Sequence, residues 1–165
     1  MVEFKEFDDG FPYVEIINDS ACANIALQGA HIFHYAQRDK QPVLWLSDSS
    51  DFELGKAIRG GVPICWPSFG KNNTALPQHG FARTSMFELL SYNEIGTTKT
   101  ELVFVLEDTP ESLKVWRHRF RLEVKFIISD KLEIELKTFN TGDREINITQ
   151  ALHSYLTFQI SLMPQ

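Results

Sequence analysis

Arginine and histidine side chains lie among glycines between residues 55 and 83, where they could bind an anion. Arg59 directly precedes a Gly-Gly pair, and His79 precedes Gly80 shortly before Arg83. Glycine lets a backbone approach a ligand closely, and a guanidinium presents a planar fork of donors to anionic oxygens. The pattern is therefore compatible with an anion-binding loop. Surface ion pairs of the two arginines are the alternative, which the residue types alone favour because such pairs are common.

His153 is a candidate general acid. It lies in the run ALHSY at residues 151–155, after a predicted strand. An imidazole can donate or accept a proton near neutral pH, which suits acid catalysis. A lone histidine is more often a structural residue, so the pattern by itself leaves both roles open.

His31 and His34 form an H-x-x-H pair that could suggest a metal site. On a strand, residues three apart face opposite sides, and no cysteine or third histidine is near in sequence. We therefore expect no metal. The chain also has no P-loop and no dinucleotide-binding fingerprint, so we expect no cofactor.

The elements that must position these residues are predicted to be strands. Apolar residues alternate with polar ones in several segments, which points one face to a core and the other to water. A polar connection at residues 129–131 suits a hairpin. Short strands between frequent turn signals favour an antiparallel all-β sandwich. The segments are residues 102–106, 120–126 and 132–137, with shorter apolar runs at 13–17 and 43–46.

Two regions carry further signals. Residues 55–80 hold five of the nine glycines and three of the seven prolines, which predicts a long ordered loop with a function. Arg117, Arg119 and Arg121 recur with a period of two, which predicts the solvated face of a strand.

Length and composition exclude several classes of protein. The 165 residues favour a single domain, and the formal net charge of −6 argues against nucleic-acid binding. No apolar run is long enough to span a membrane, and the acidic N-terminus does not resemble a signal peptide. We therefore expect a cytoplasmic protein in which Cys22 and Cys65 are free thiols.

Four ordered motifs resemble the glucose-6-phosphate 1-epimerases of the aldose 1-epimerase superfamily. The resemblance covers essentially the whole chain and implies a galactose-mutarotase-like β-sandwich. The motifs are IRGGVPICWP at 58–67 with QHGFAR at 78–83, IALQGAH at 25–31 with VLWLS at 43–47, NTGD at 140–143, and ALHSY at 151–155.

The resemblance implies a reaction and a site. The reaction interconverts the α and β anomers of a hexose 6-phosphate by proton transfers, without a cofactor. His153 would protonate the ring oxygen, Arg59 and Arg83 would hold the phosphate, and Gln78 and His79 would line the sugar pocket. A dianion is well held by more than one guanidinium, which agrees with this assignment.

Family members continue well beyond Gln165. We therefore expect residues 1–165 to be the N-terminal part of one sandwich, truncated after the His153 motif. The general base, a glutamate, would lie in the segment beyond, so the chain would be a poor mutarotase at best. The alternative is a non-catalytic carbohydrate-binding module or an inactive truncated homologue. An incomplete sandwich exposes strand edges, which predicts a homodimer.

Overall fold

The computed structural model describes residues 1–71 and 75–158, whose regular structure consists almost entirely of β-strands. In this part of the chain, no helix has the length and apolarity needed to cross a membrane. The elements, in chain order, are β1 (Val2–Glu6), β2 (Pro12–Ile17), β3 (Ala21–Ala26), β4 (His31–Gln37), β5 (Ile64–Cys65), a 3-10 turn (Ala82–Thr84), β6 (Glu88–Ile95), β7 (Lys99–Glu107), α1 (Pro110–Val115), β8 (Phe120–Ile128), β9 (Leu132–Asn140) and β10 (Ala151–Leu152).

Two four-stranded antiparallel sheets form the body of the fold. The first contains β1 to β4 and the second β6 to β9, each in sequence order. The second sheet includes the predicted hairpin, since Ile128 of β8 lies opposite Leu132 of β9. The prediction of an antiparallel all-β structure is confirmed.

The alternation of apolar and polar residues decides which face of each sheet is buried. On β8, Leu122, Val124 and Phe126 are buried, whereas Glu123 and Lys125 between them are partly exposed. The buried side chains join one core cluster with residues of β2, β3 and β4. Removing this apolar surface from water is the main force that holds the two sheets together.

The glycine- and proline-rich segment between residues 55 and 80 forms only one short strand, β5, as the composition predicted. β5 pairs antiparallel with β10. The neighbouring Trp66 is completely buried, and its indole N–H donates to Thr138 Oγ1 on β9 at 2.9 Å. This contact anchors the segment to the second sheet.

Two local predictions fail, and one element was not predicted. Residues 43–46 form no strand, because only Leu44 and Leu46 make isolated bridges there. Arg117 and Arg119 precede β8, and only Arg121 lies on it. The helix α1 has no apolar period that could reveal it, since none of its residues is buried; Thr109 caps it and Pro110 begins it.

Candidate functional site

A cleft of about 630 Å³ opens where the glycine-rich segment, the 3-10 turn and the end of β10 meet. Four of the five residues that the sequence suggested for a site line it: Arg59, His79, Arg83 and His153. Gln78 does not line the cleft but contacts two residues that do. The structure thus brings together residues that lie far apart in the sequence.

Arg59 is held by its backbone, and within the part of the chain that the structure describes its side chain makes no hydrogen bond or ion pair. Its N–H donates to Ser50 Oγ at 3.0 Å, and its carbonyl accepts from the Ser47 N–H at 3.0 Å. Gly60 follows with φ of 111°, and a Cβ there would lie 2.5 Å from the carbonyl oxygen of Trp45. Only glycine permits this close approach, which explains the Arg-Gly sequence physically.

His31 supports the same loop from the core. It is 1% exposed, and its Nε2–H donates to the carbonyl oxygen of Gly60 at 2.8 Å. Burial lowers the pKa of His31 to about 4, so the ring is neutral at physiological pH. Among the described residues its Nδ1 has no hydrogen-bond partner.

Arg83, Gln78 and His79 form a second group on the cleft. Arg83 Nη2 donates to the Gln78 carbonyl at 2.8 Å, and the Gln78 amide nitrogen lies 3.3 Å from His79 Nε2. His79 has φ of 66°, and its Nδ1 accepts from the Gly70 N–H at 3.2 Å. Burial, and then the nearby Arg83 and His153, lower the pKa of His79.

His153 follows β10 directly, and its backbone N–H donates to the Pro63 carbonyl at 3.0 Å. Its ring centroid lies 5.9 Å from that of His79 and 4.9 Å from that of Tyr155, on which it stacks. Tyr155 in turn lies 5.9 Å from Trp45, ring centroid to ring centroid. The cleft therefore carries two imidazoles beside a pair of partly exposed aromatic rings.

The sequence interpretation missed Trp45, Tyr155 and Asp51, which also line the cleft. Trp45 belongs to the motif VLWLS and Tyr155 to the motif ALHSY, but no periodicity in the sequence indicates that the two rings lie side by side. Their contact depends on the Trp45 N–H, which donates to the Tyr155 carbonyl at 3.0 Å. Asp51 gave no signal, because an acidic residue in a turn is usually solvated.

The alternative that Arg59 and Arg83 form surface ion pairs finds no support. Within residues 1–71 and 75–158, neither guanidinium lies within 4.0 Å of a carboxylate oxygen. Lys56 also lines the cleft, but it pairs with Glu53 at 2.5 Å. The two arginines therefore keep donors available to an anion.

The two histidines of the H-x-x-H pair contact different residues. His31 is buried and bonded to Gly60, whereas His34 Nε2 lies 3.6 Å from Cys22 Sγ. Cys22 and Cys65 are both free thiols. Among the described residues, no group of three or more His, Cys, Asp or Glu side chains has the arrangement of a metal site.

Comparison with known proteins gives a family. The model of the family described as "Aldose 1-epimerase" matches residues 12–162. The "Putative glucose-6-phosphate 1-epimerase" of Salmonella typhimurium is 38% identical over 152 residues, which are 92% of this chain and 50% of that protein. The protein of the same description from Escherichia coli is 41% identical over 134 residues, 81% of this chain and 44% of that protein.

Solved structures agree with the sequence matches. The structure described as a putative mutarotase from Salmonella typhimurium superposes with a TM-score of 0.86 at 36% identity, over 94% of this chain and 51% of that one. A galactose mutarotase-like protein from Lactobacillus casei shares the fold, with a TM-score of 0.62 at 24% identity over 78% and 44% of the two chains. The chain thus spans about half the length of the curated relatives it matches.

Proposed function

The chain belongs to the aldose 1-epimerase family, and on that premise we propose that its cleft binds a hexose 6-phosphate whose α and β anomers are interconverted. The observation that carries the proposal is the pair of arginines without a carboxylate partner among the described residues, on the same cleft as two histidines. The relatives described as glucose-6-phosphate 1-epimerases support the choice of sugar.

In this proposal Arg59 and Arg83 bind the phosphate. A phosphate dianion accepts charge-assisted hydrogen bonds, and two guanidinium forks supply donors in the geometry that it prefers. The backbone bonds that hold Arg59, and the bond from Arg83 to the Gln78 carbonyl, reduce the conformational freedom lost on binding. His79 would then contact the sugar, and Gln78 would hold His79 and Arg83 in position from outside the cleft.

His153 is the proposed general acid at the ring oxygen. As the acid protonates the ring oxygen, a base removes the proton from the C1 hydroxyl; the ring opens, C1 rotates, and closure gives the other anomer. The imidazole lies partly exposed on the cleft, stacked on Tyr155. A positioned acid of this kind contributes about a hundredfold to ten-thousandfold to the rate.

The base in this proposal is a glutamate of the segment that relatives carry beyond the position of Gln165. Of the described residues that line the cleft, Asp51 alone is a carboxylate, and it lies close to Lys56. We therefore expect the 165-residue chain to bind the sugar phosphate and to turn it over slowly. A turnover that disappears in Asp51→Asn would make Asp51 the base instead.

A non-catalytic sugar-binding module remains the second candidate, and the aromatic pair favours it. Trp45 is 45% exposed and Tyr155 is 37% exposed on the cleft. Exposed aromatic rings bind the apolar faces of sugars, and they need no acid or base to do so. Binding without any anomer exchange above the spontaneous rate would favour this candidate.

The test is a titration of the isotope-labelled chain with glucose 6-phosphate and with glucose, followed by NMR. Arg59→Ala leaves the backbone bonds of the loop in place and should weaken glucose 6-phosphate binding about tenfold to a hundredfold, since a charge-assisted bond contributes about 1.5–3 kcal/mol. Glucose binding should change much less.

Arg117→Ala is the matched control, because that guanidinium lies outside the cleft. Equal losses for both sugars in Arg59→Ala would show that Arg59 does not bind the phosphate. Anomer exchange of glucose 6-phosphate in the same samples, with the spontaneous rate subtracted, tests catalysis. An unchanged exchange rate in His153→Asn would remove His153 from the mechanism.

A further inference from the structure

The chain turns from β3 into β4 at residues 27–31, and this β3–β4 turn contacts both segments that carry the cleft arginines. Arg59 lies in one segment, at residues 55–60, and Arg83 lies in the other, at residues 82–87. Of the described residues that line the cleft, none belongs to the β3–β4 turn. The turn would therefore affect a bound ligand through the residues that it holds.

Gln28 bonds to the beginning of the Arg59 segment with both ends of its amide. The side chain is buried; its Nε2–H donates to the Lys56 carbonyl at 2.8 Å, and its Oε1 accepts from the Gly55 N–H at 2.7 Å. A buried polar group that loses its partner keeps the free-energy cost of its removal from water. The two bonds therefore hold residues 55 and 56 against the β3–β4 turn.

His31 bonds to the end of the same segment, on the other side of Arg59. Its Nε2–H donates to the carbonyl oxygen of Gly60 at 2.8 Å. Among the described residues its Nδ1 has no hydrogen-bond partner, so the buried ring makes no second bond there. Because the segment is bonded before and after Arg59, the backbone of Arg59 has little freedom to move relative to the turn.

The β3–β4 turn also contacts the Arg83 segment, through backbone atoms. The Gly29 N–H donates to the Ser85 carbonyl at 2.8 Å, and the Leu27 carbonyl accepts from the Phe87 N–H at 2.9 Å. Gly29 has φ of 76°, and a Cβ there would lie 2.8 Å from the Arg83 carbonyl oxygen. One short turn is therefore bonded to the segments of both arginines.

We propose that Gln28 and His31 are positioning residues, which hold Arg59 at the distance from Arg83 that a phosphate requires. The inference rests on the proposed function and adds the source of its preference for a phosphorylated sugar. A phosphate held by two guanidinium groups needs donors from both at once, and a displacement of about 1 Å is enough to lose such a geometry. An unphosphorylated sugar makes no such demand on the two arginines.

Two variants remove the bonds on either side of Arg59, and NMR titration measures the ratio of the dissociation constants for glucose and glucose 6-phosphate. Gln28→Met and His31→Leu should each weaken glucose 6-phosphate binding about tenfold and change glucose binding much less. His31→Gln keeps a donor toward Gly60 and should restore most of the ratio. If the NMR spectrum shows that one variant does not fold, the other decides.

Tyr35→Phe is the matched control. It also removes a hydrogen bond from a buried side chain to a backbone carbonyl, that of Ser129 at 3.0 Å, but neither residue lines the cleft. It should lower the free energy of unfolding and leave the ratio unchanged. An unchanged ratio in Gln28→Met and His31→Leu, or a ratio that falls as far in Tyr35→Phe, would show a merely structural role and overturn the proposal.

A double-mutant cycle separates this inference from the proposed function. In the Arg59→Ala background, His31→Leu should cause no further loss of glucose 6-phosphate binding, because the positioned side chain is gone. Additive losses would mean that His31 does not act through Arg59, and they would overturn the positioning role while the proposed function stands. Absence of a selective loss in Arg59→Ala itself would overturn the proposed function, and this inference with it.

Discussion

In the second sheet each strand pairs with the strand that follows it in the sequence, whereas the cleft joins segments that are far apart. β7, β8 and β9 form continuous ladders, and every second residue is buried over most of β7 and β8 and partly buried over most of β9. The cleft instead depends on a few contacts between distant segments, such as the hydrogen bonds from the Trp45 N–H to Tyr155 and from the Thr157 N–H to Val43. A single substitution in the sheet therefore leaves most of the contacts between its strands in place, whereas a single substitution in the cleft can remove the contact that holds a loop.

This difference predicts where the addition of a single atom to a side chain destabilises the fold most. In a ladder, one weakened contact is supported by its neighbours. In the cleft, a backbone that passes close to another has no such support, and a displacement of the loop moves the groups that would bind a ligand. Matched changes in the two regions should therefore differ in their effect on stability.

Gly80→Ala should be the most disruptive change, and Gly96→Ala its counterpart in the sheet. Both glycines have positive φ, at 73° and 62°. A Cβ at Gly80 would lie 2.0 Å from the Trp66 carbonyl oxygen, whereas a Cβ at Gly96 meets nothing within 4 Å. We expect losses of about 4 kcal/mol or more for Gly80→Ala and about 1 kcal/mol for Gly96→Ala, by urea unfolding. Similar losses would contradict the comparison.

Lowering the pH should reduce the free energy of unfolding through His31, which supports the loop of the cleft. The folded pKa of about 4 lies below the ordinary value of 6.5, so the unfolded chain binds the extra proton between these values. The stabilisation is complete above pH 6.5 and is lost as the pH falls, by about 3 kcal/mol at pH 4.

The measurement for His31 is the pH dependence of unfolding in the unmodified chain and in His31→Gln. Glutamine can still donate to Gly60 but does not titrate, so its profile should be flatter below pH 6.5. His34 and His79, whose pKa values are also lowered, remain in both proteins and cancel in the difference. Parallel profiles would remove His31 as the source.

The same contrast explains what the sequence could predict. β8 and β9 follow from the alternation around Val124 and Ile134, because a period of two is a local signal. The loop was predicted from its glycines and prolines, and the candidate residues Arg59 and His153 from their types and then from family motifs. The pairing of β5 with β10 and the place of Asp51 were not predictable, since two-residue strands and isolated contacts have no period. Residues 43–46 looked like a strand because they are apolar, yet they form none, and Trp45 among them lines the cleft.

Thr138→Val should remove the hydrogen bond between the Trp66 indole, in the segment beside the cleft, and β9 of the second sheet. Trp66 is completely buried, and valine would leave its indole N–H without the Thr138 acceptor at almost unchanged volume. An unpaired buried donor costs about 1–3 kcal/mol, measured by urea unfolding. Thr138→Ser keeps the acceptor and should lose less; an equal loss in the two variants would mean that the methyl group, not the bond, matters.

Glu101→Gln should have the smallest effect, because it alters only the ion pairs with Lys99 and Lys125 on the outer face of a sheet that many other contacts hold together. Hydrogen bonds from Lys99 and then Lys125 lower the pKa of Glu101, so its contribution is present above the ordinary pKa of 4.5 and is lost as the pH falls below it. Partial exposure and salt screening keep the contribution of exposed pairs of this kind to stability at a few tenths of a kcal/mol.

Urea unfolding at neutral pH, at low and at high salt, should show a small loss of stability that shrinks as salt is added. Glu88→Gln at the start of β6 is the control for removing one negative charge, because among the described residues Glu88 makes no ion pair. A loss above about 1 kcal/mol that salt does not reduce would show that single contacts matter in the sheet as they do in the cleft, and would break the comparison.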